Sequence, residues 1–374
     1  MIKLSRYLYI LDEVTLTFIT CLLNKRNIKE CLFWISEYYY SGYKNETWYL
    51  LGKIYLDFYA VHNPCFENII INKYKLWKNS DKFINIAYIV KSLLIKKHNV
   101  DVFMIRQYMY CNDTKYILYR GRRPNWLLKY NKKFANLLLS INKNNYNNIG
   151  HYIKTIEDTE LDNMYINIIN YYKETYKINI NYNEQELITN LNEKCGLFPY
   201  IDINKYKRHL IVCLIFSLRL DDDKINKKQI ILKDNIKLLD YVKEIKEIDN
   251  PSKDGYNTLR EKLLYPIDNN IGCFNLERFN VADIKNEILM NWDSYLYNVP
   301  LWKERIDKLN GKMVNNKLIF EDEDMQQEFY NKYGYYPDEI SDIYYNRIIG
   351  NIKKINCNKK DSIIIFPDNY SLCY

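Results

Sequence analysis

Apolar residues recur at intervals of three and four along much of the chain, and this spacing limits the possible folds more than any other feature. It places apolar side chains on one face of an α-helix. At the start of the sequence the spacing is followed by Leu8, Leu11, Val14, Phe18 and Leu22. It predicts further helices over residues 28–40, 46–61, 83–97, 100–110, 126–141, 161–176, 184–194 and 205–220. Because the connections are short, neighbouring helices are expected to form antiparallel hairpins.

Glycine and proline are scarce, with 10 and 8 copies in 374 residues. This scarcity argues against collagen-like chains and glycine-rich β folds. We predict β structure only near the C-terminus, as a hairpin over residues 312–320 that turns at Asn315-Asn316 and a short run over residues 362–366. The predicted fold class is therefore mainly α, an irregular multi-helical array of helical hairpins with minor β near the C-terminus.

Turn-forming residues cluster over residues 249–257 and predict a linker. The linker would separate a basic-to-neutral helical body, residues 1–248, from a smaller acidic α(+β) module with a loose tail, residues 258–374. Charge is distributed unevenly: residues 1–155 carry 24 Lys+Arg against 10 Asp+Glu, whereas residues 156–374 carry 30 against 36. This imbalance suggests different partners for the two parts, or neutralisation of one part by the other.

Nine cysteines are scattered along the chain, none of them spaced as C-x-x-C. Several lie within apolar runs, which is typical of reduced, buried thiols in a reducing intracellular compartment. We expect no membrane span, because the best apolar run, residues 210–218, is shorter than the roughly 20 residues that a bilayer requires. The N-terminal residues contain no uninterrupted apolar stretch and no small-residue cleavage site, so no signal peptide is expected.

The most distinctive local feature is residues 115–133, KYILYRGRRPNWLLKYNKK, which we call the basic aromatic segment. Aromatic residues, among them Trp126 and Tyr130, alternate with cations, and no acid is present. Arginine forks bind phosphate oxygens, and exposed rings stack on bases. The segment therefore predicts a nucleic-acid or phosphate site formed by Trp126 and the seven cations. These cations are Lys115, Arg120, Arg122, Arg123, Lys129, Lys132 and Lys133.

Two other interpretations of the basic aromatic segment stay open. An acidic protein surface would satisfy the same cations. Alternatively, the segment is a solvated loop, and Trp126 and Tyr130 belong to the core of the following helix. The three interpretations differ in whether the rings and cations face a partner, solvent or the protein interior.

Motifs of the common enzyme classes are absent from the sequence, which contains no G-x-S-x-G, H-E-x-x-H or G-x-x-x-x-G-K-[ST] pattern. His209 and Cys213 share a helix face and could join Cys195 on a metal, but a fourth ligand is not evident and core burial is the simpler interpretation. Acidic clusters at residues 221–223 and 321–324 could hold Mg²⁺, yet such runs more often cap helices or solvate loops. No cofactor is expected, and enzymatic activity stays open, with a non-enzyme favoured.

Three stretches resemble a family of uncharacterised proteins of nucleo-cytoplasmic large DNA viruses. They are residues 31–64 (CLFWISEYYYSGYKNETWYLLGKIYLDFYAVHNP), 300–338 (PLWKERIDKLNGKMVNNKLIFEDEDMQQEFYNKYGYYPD) and 120–129 (RGRRPNWLLK). The 47 asparagines and 38 tyrosines are typical of an AT-rich genome, which agrees with this resemblance. The resemblance implies a giant-virus protein of the host cytoplasm, viral factory or virion, with other viral proteins as partners. It includes no catalytic motif and therefore transfers no site.

The predicted function is a non-enzymatic binding or scaffold protein of a large DNA virus, which presents the basic aromatic segment to nucleic acid or to an acidic partner. Two alternatives are kept. One is a structural component of the virion, such as a minor or inner-capsid protein, because many large aromatic residues suit extensive protein contacts. The other is a metal-dependent nucleic-acid enzyme that uses the acidic clusters as its metal site.

Overall fold

The structure is a computed structural model that describes residues 3–110, 124–176, 183–199, 202–220, 239–243 and 291–333, together with residues 265, 267 and 287. This part of the chain is mainly helical with a small two-strand antiparallel sheet, so the mainly α prediction is confirmed. The α-helices are α1 (Leu11–Leu23), α2 (Ile28–Tyr40), α3 (Lys44–Ile54), α4 (Phe66–Ser80), α5 (Ile84–Ile95), α6 (Asp101–Tyr110), α7 (Lys132–Asn142), α8 (Tyr146–Lys154), α9 (Leu161–Tyr176), α10 (Glu184–Leu197), α11 (Ile203–Ser217), α12 (Trp292–Leu296), α13 (Pro300–Asp307) and α14 (Glu323–Tyr333). A π-helical turn, Tyr55–Tyr59, follows α3, and 3₁₀ turns cover Asn125–Leu127 and Asp158–Glu160. None of the helices that the structure describes is long and apolar enough to cross a bilayer.

Asparagine and aspartate side chains cap several of these helices. Asn131 accepts a hydrogen bond of 2.8 Å from the backbone N–H of Phe134 at the start of α7. At the start of α11, Asp202 accepts bonds from the backbone N–H groups of Asn204 and Lys205. The first N–H groups of a helix have no partner within the helix, so these side chains satisfy them. The polar junctions between the apolar runs of the sequence are thus helix starts.

The described residues cluster into two compact units, each assembled from stretches that are distant in sequence. Unit 1 takes the described residues of Met1–Trp48, Asp81–Leu94 and Leu232–Ile365. Unit 2 takes the described residues of Tyr49–Ser80 and Ile95–Ile231. The linker predicted at residues 249–257 and the run at residues 362–366 lie outside the described residues. The division into 1–248 and 258–374 therefore stays a prediction.

Unit 1 joins the N-terminal residues to the last described elements. Trp302 of α13 donates a hydrogen bond from its Nε1 to the backbone carbonyl of Arg6, at 2.9 Å. The Nε of Arg6 in turn binds Glu37 of α2 at 2.9 Å, and both side chains of this ion pair are buried. Apolar residues from both ends of the chain form one core here: Leu4, Leu8, Leu296, Val299, Trp302, Ile306, Leu318, Phe320, Phe329, Tyr330 and Tyr333.

The predicted hairpin is present in unit 1. Strands β1 (Gly311–Val314) and β2 (Lys317–Phe320) pair antiparallel, and Val314 faces Lys317 across a two-residue loop. The loop residues Asn315 and Asn316 have φ angles of 50° and 61°. Positive φ at both central residues defines the type I′ turn that matches the twist of a hairpin, and asparagine adopts this conformation more readily than most residues. The turn prediction is confirmed.

Unit 2 is built around α6 and α11. Helix α6 packs against α8, α11 and the π-helical turn, and α11 also packs against α9 and α10. Gly150 of α8 allows α6 to come close, since a Cβ at this position would lie 2.7 Å from the Cβ of Tyr108 and 3.0 Å from the carbonyl oxygen of Ile105. This arrangement brings the described end of the basic aromatic segment and three buried ionisable side chains into one unit.

Candidate nucleic-acid interface

The described part of the basic aromatic segment runs from Pro124 to Lys133 and lies at the surface of unit 2. A 3₁₀ turn begins after Pro124, and Leu127 on this turn is fully buried. Leu127 therefore anchors the turn, while Trp126 beside it keeps 41% of its surface exposed and Leu128 keeps 65%. Trp126 is thus partly buried and partly exposed, and the three interpretations of the segment stay predictions.

The three lysines of this part are all exposed. Lys129 forms an ion pair with Glu174 of α9, and Lys133 lies 3.8 Å from Glu157. More than half of each of these four side chains remains exposed. The hydrogen bond from Lys129 to Glu174 raises the pKa of the lysine above its ordinary value, so its positive charge is secure at neutral pH. Lys132, between the two, is also exposed.

Aromatic rings connect the segment to α9. The indole of Trp126 stacks on Tyr171, with ring centroids 5.9 Å apart and planes inclined by 27°. Tyr171 meets Tyr172 edge to face at 5.4 Å, and Tyr172 stacks on Tyr176 at 5.3 Å and 20°. Tyr130 contacts the edge of Tyr171 at 6.4 Å. We call Trp126, Tyr171, Tyr172 and Tyr176 the aromatic ladder.

The inner rings of the aromatic ladder are fixed, whereas its end rings are open. Tyr171 and Tyr172 are buried, and their hydroxyl groups donate to Asn142 Oδ1 and to the carbonyl oxygen of Ile215, each at 3.2 Å. Burial raises the pKa of both phenols, so both stay neutral donors. At the far end, Tyr176 is 55% exposed. The sequence analysis did not single out α9, because its tyrosines follow the ordinary spacing of an amphipathic helix.

Four of the predicted site residues lie outside the described residues. They are Lys115, Arg120, Arg122 and Arg123. Their part in the interface stays a prediction, based on the uninterrupted positive charge of the sequence. Trp126, Lys129, Lys132 and Lys133 are the members that the structure describes, and all four are exposed.

A separate group of charges, which we call the buried ionic centre, lies inside unit 2. Asp57 accepts two hydrogen bonds from Arg106, at 2.6 Å from Nε and 2.8 Å from Nη2. Nε2 of His209 is 2.9 Å from the same carboxylate. All three side chains are at most 3% exposed. The π-helical turn carries Asp57, α6 carries Arg106 and α11 carries His209.

Electrostatics hold the buried ionic centre in one charge state. Burial by itself would raise the pKa of Asp57, but Arg106 and His209 outweigh it and lower the pKa to about 2. Burial lowers the pKa of His209 despite the neighbouring carboxylate, and Arg106 and Lys53 act in the same direction. The centre therefore contains an aspartate, an arginine cation and a neutral histidine at neutral pH. The negative charge of the aspartate and the positive charge of the arginine cancel, so the pair buries no net charge.

The geometry of the buried ionic centre does not provide an activated nucleophile. Cys213 lies one helical turn after His209, but its thiol points to the carbonyl oxygen of Leu56, at 3.4 Å. Burial raises the pKa of this thiol well above its ordinary value, so it stays protonated. Cys195, the third residue of the possible metal set, is also buried, and its pKa is raised to about 12. The described residues contain no cluster of three or more groups able to hold a metal ion.

Sequence reasoning did not find the buried ionic centre, although a signal for it exists. Asp57 and Arg106 each interrupt an apolar run, with Leu56 and Phe58 around the first and Ile105 before the second. A single charge within an apolar helical face must be paired if that face is buried. The partner could not be chosen, because the three residues are up to 152 positions apart, between 57 and 209.

Of the two acidic clusters, residues 221–223 lie outside the described residues and residues 321–324 precede and begin α14. In the second cluster, Asp322 accepts a hydrogen bond from the backbone N–H of Asp324 at 2.9 Å. Glu321 pairs with Lys312 on β1. Acidic side chains at this end of a helix are favoured by the helix dipole. The second cluster thus has a structural explanation as the start of a helix.

Comparison of the chain with protein-family models, curated proteins and solved structures found no match. The resemblance to proteins of large DNA viruses therefore stays a prediction from the sequence. The molecule is a mainly helical protein of two units, with an exposed array of lysines and aromatic rings on one of them.

Proposed function

We propose that this protein binds nucleic acid through the basic aromatic segment. The observation that supports this most directly is the surface formed by Lys129, Lys132 and Lys133 beside the exposed indole of Trp126. Lysines supply the phosphate contacts that dominate nucleic-acid affinity, and an exposed ring supplies a face for a base. The remaining four cations of the segment lie outside the described residues, and their part in binding stays a prediction from the sequence.

The ion pairs of this surface do not oppose the proposal. Lys129 and Lys133 are paired with Glu174 and Glu157, but these pairs are more than half exposed on both sides. Exposed pairs of this kind contribute little to stability, because solvent screens them. A phosphate backbone, with its high charge density, can therefore replace the carboxylates as the partner of these lysines.

The test is fluorescence anisotropy of labelled nucleic acid at salt concentrations from about 50 to 200 mM. We expect wild-type affinity to fall steeply with salt. A Lys129/Lys132/Lys133→Gln variant removes three cations, so its plot of log affinity against log salt should be shallower by roughly 2 to 3. The reason is that each lost phosphate contact releases about one counterion fewer.

A matched control is available in unit 1. Lys303, Lys308 and Lys312 are also exposed lysines paired with acids, so a Lys303/Lys308/Lys312→Gln variant has the same loss of charge. It should bind with the wild-type salt slope. Equal slopes for the two triple variants would contradict the proposed site. Failure of the wild type to bind at the lowest salt would contradict the proposed function and would favour an acidic protein as the partner.

A further inference from the structure

We infer that the interface takes single-stranded nucleic acid in preference to duplex, with Trp126 and Tyr176 as the two rings on which unpaired bases stack. This inference rests on the proposed function and specifies its ligand. It is carried by the aromatic ladder, whose two end rings are exposed and whose inner rings are buried. Neither α9 nor Tyr176 was part of the site predicted from the sequence.

Each end ring of the aromatic ladder is already held in place before a ligand arrives. Tyr171 stacks on Trp126, with centroids 5.9 Å apart and planes inclined by 27°, and Tyr172 stacks on Tyr176 at 5.3 Å and 20°. Trp126 and Tyr176 keep exposures of 41% and 55%, which leaves ring area available for a further stacking contact. Little side-chain entropy remains to be lost when a base covers that face.

The inner rings cannot move aside easily, because hydrogen bonds hold them to the rest of unit 2. Tyr171 donates to α7 and Tyr172 donates to α11, as described above. Aromatic platforms on a rigid base suit the unstacked bases of a single strand. A duplex hides the faces of its bases in its own stack, so it can use the lysines but not the rings.

The lysines of the basic aromatic segment suit contacts with the phosphate backbone of a single strand. Lys129, Lys132 and Lys133 follow Trp126 in sequence, and Lys129 reaches α9, where it pairs with Glu174. Glu174 lies two residues before Tyr176, and its charge is matched by this lysine. The lysines thus follow one end ring in sequence, and one of them pairs with the helix that carries the other, as suits a surface that contacts bases and phosphates together.

The test separates base stacking from charge by using three labelled ligands: an oligothymidylate strand of about 16 nucleotides, an abasic strand of equal length, and a duplex. We expect the wild type to prefer the strand with bases over the abasic strand. Trp126→Leu and Tyr176→Leu should each weaken binding of oligothymidylate by about 5- to 100-fold and leave the affinity for the abasic strand unchanged. In both variants, the ratio of single-strand affinity to duplex affinity should fall by a similar factor.

Two further variants serve as controls. Tyr176→Phe keeps the ring and should bind oligothymidylate as the wild type does. Leu128→Ala removes an exposed apolar side chain from the same segment without removing a ring, so its affinity should also be unchanged. The abasic strand reports on folding, because a misfolded variant would lose affinity for it as well.

The outcomes distinguish this inference from the proposed function. Salt-dependent binding of all three ligands with equal affinity, or Leu variants that bind oligothymidylate as the wild type does, would overturn the single-strand inference and leave the proposed function intact. Leu variants that weaken the abasic and base-containing strands equally would also overturn it, since the rings would then act only through the structure. Binding of none of the ligands at low salt would contradict the proposed function itself.

Discussion

In the interior of unit 2, the buried ionic centre holds charged side chains that are paired with each other. Removing an aspartate and an arginine from water is expensive, and the expense is offset when both oxygens of Asp57 accept hydrogen bonds from Arg106. His209 stays neutral beside them, because burial lowers its pKa. A packing arrangement that separated Asp57 from Arg106 would leave a buried charge unpaired, at a high cost in free energy.

The buried imidazole of His209 is expected to make the free energy of unfolding depend on pH. Its pKa in the folded protein lies below the ordinary value of 6.5, so the unfolded chain takes up a proton that the folded chain does not bind. The contribution of His209 to the free energy of unfolding is therefore fully present above about pH 6.5 and is lost as the pH falls below that value. Asp57 does not titrate in this range, because its pKa is about 2. We expect His209→Gln to flatten this part of a profile measured by urea unfolding.

The control for this prediction is His151→Gln. Burial also lowers the pKa of His151, but that side chain is partly exposed. Its substitution should flatten the profile less than substitution of His209. A His209→Gln profile with the same slope as the wild type would show that the buried histidine does not couple stability to pH.

At the scale of elements, apolar spacing predicted most helices but not how the third predicted helix ends. The spacing indicated a single α-helix over residues 46–61, whereas the structure has α3 followed by the π-helical turn Tyr55–Tyr59. A π-helical turn accommodates one extra residue, and single-turn π-bulges occur often at functional sites. Here the turn carries Asp57 and contacts α6 and α11. Periodicity over a few residues cannot distinguish i→i+4 from i→i+5 hydrogen bonds.

Helix packing gives a prediction for two glycines. In Gly150→Ala, the new Cβ would lie 2.7 Å from Tyr108 Cβ and 3.0 Å from a backbone oxygen of α6. We expect a loss of about 1 to 3 kcal/mol in the free energy of unfolding, despite the gain of up to about 1 kcal/mol that alanine brings to a helix. Gly196→Ala in α10 is the control, since nothing lies within 4 Å of its Cβ position. It should stabilise the protein, and urea midpoints that move the same way for both variants would contradict the packing argument.

At the scale of the whole molecule, the two units are assembled from separated stretches of the chain. In unit 1, the hydrogen bond from Trp302 to Arg6 joins residues 296 positions apart. Leu8, with a φ of 61°, adopts a conformation that is costly for a branched side chain. It is nevertheless almost fully buried in the core of α12 to α14. Packing in this core therefore outweighs local backbone preference.

This arrangement predicts that the N-terminal residues stabilise elements near the other end of the described chain. Leu8→Ala should lower the free energy of unfolding by about 2 to 5 kcal/mol and reduce hydrogen-exchange protection in α13 and α14. Leu76→Ala is the matched control, because Leu76 is 54% exposed, and it should change stability by less than about 0.5 kcal/mol. Unchanged protection of α13 and α14 in Leu8→Ala would contradict the role of Leu8 in their core.

Local features of this protein could be predicted from the sequence because they depend on neighbouring residues. Helix periodicity, the Asn315-Asn316 turn and the clustering of cations beside Trp126 are all of this kind. Whether Trp126 faces a partner, solvent or the interior was left open by the sequence, since a ring at the start of a helix can face either way.

Contacts between distant residues were decided only by tertiary structure. The pairing of Asp57 with Arg106 and His209, and the stacking of Trp126 on Tyr171, depend on the path of the chain between those residues. Many helix arrangements satisfy the same apolar spacing, because the hydrophobic effect is not directional. Close packing at Gly150 and hydrogen bonds that must be satisfied in the interior select one of them.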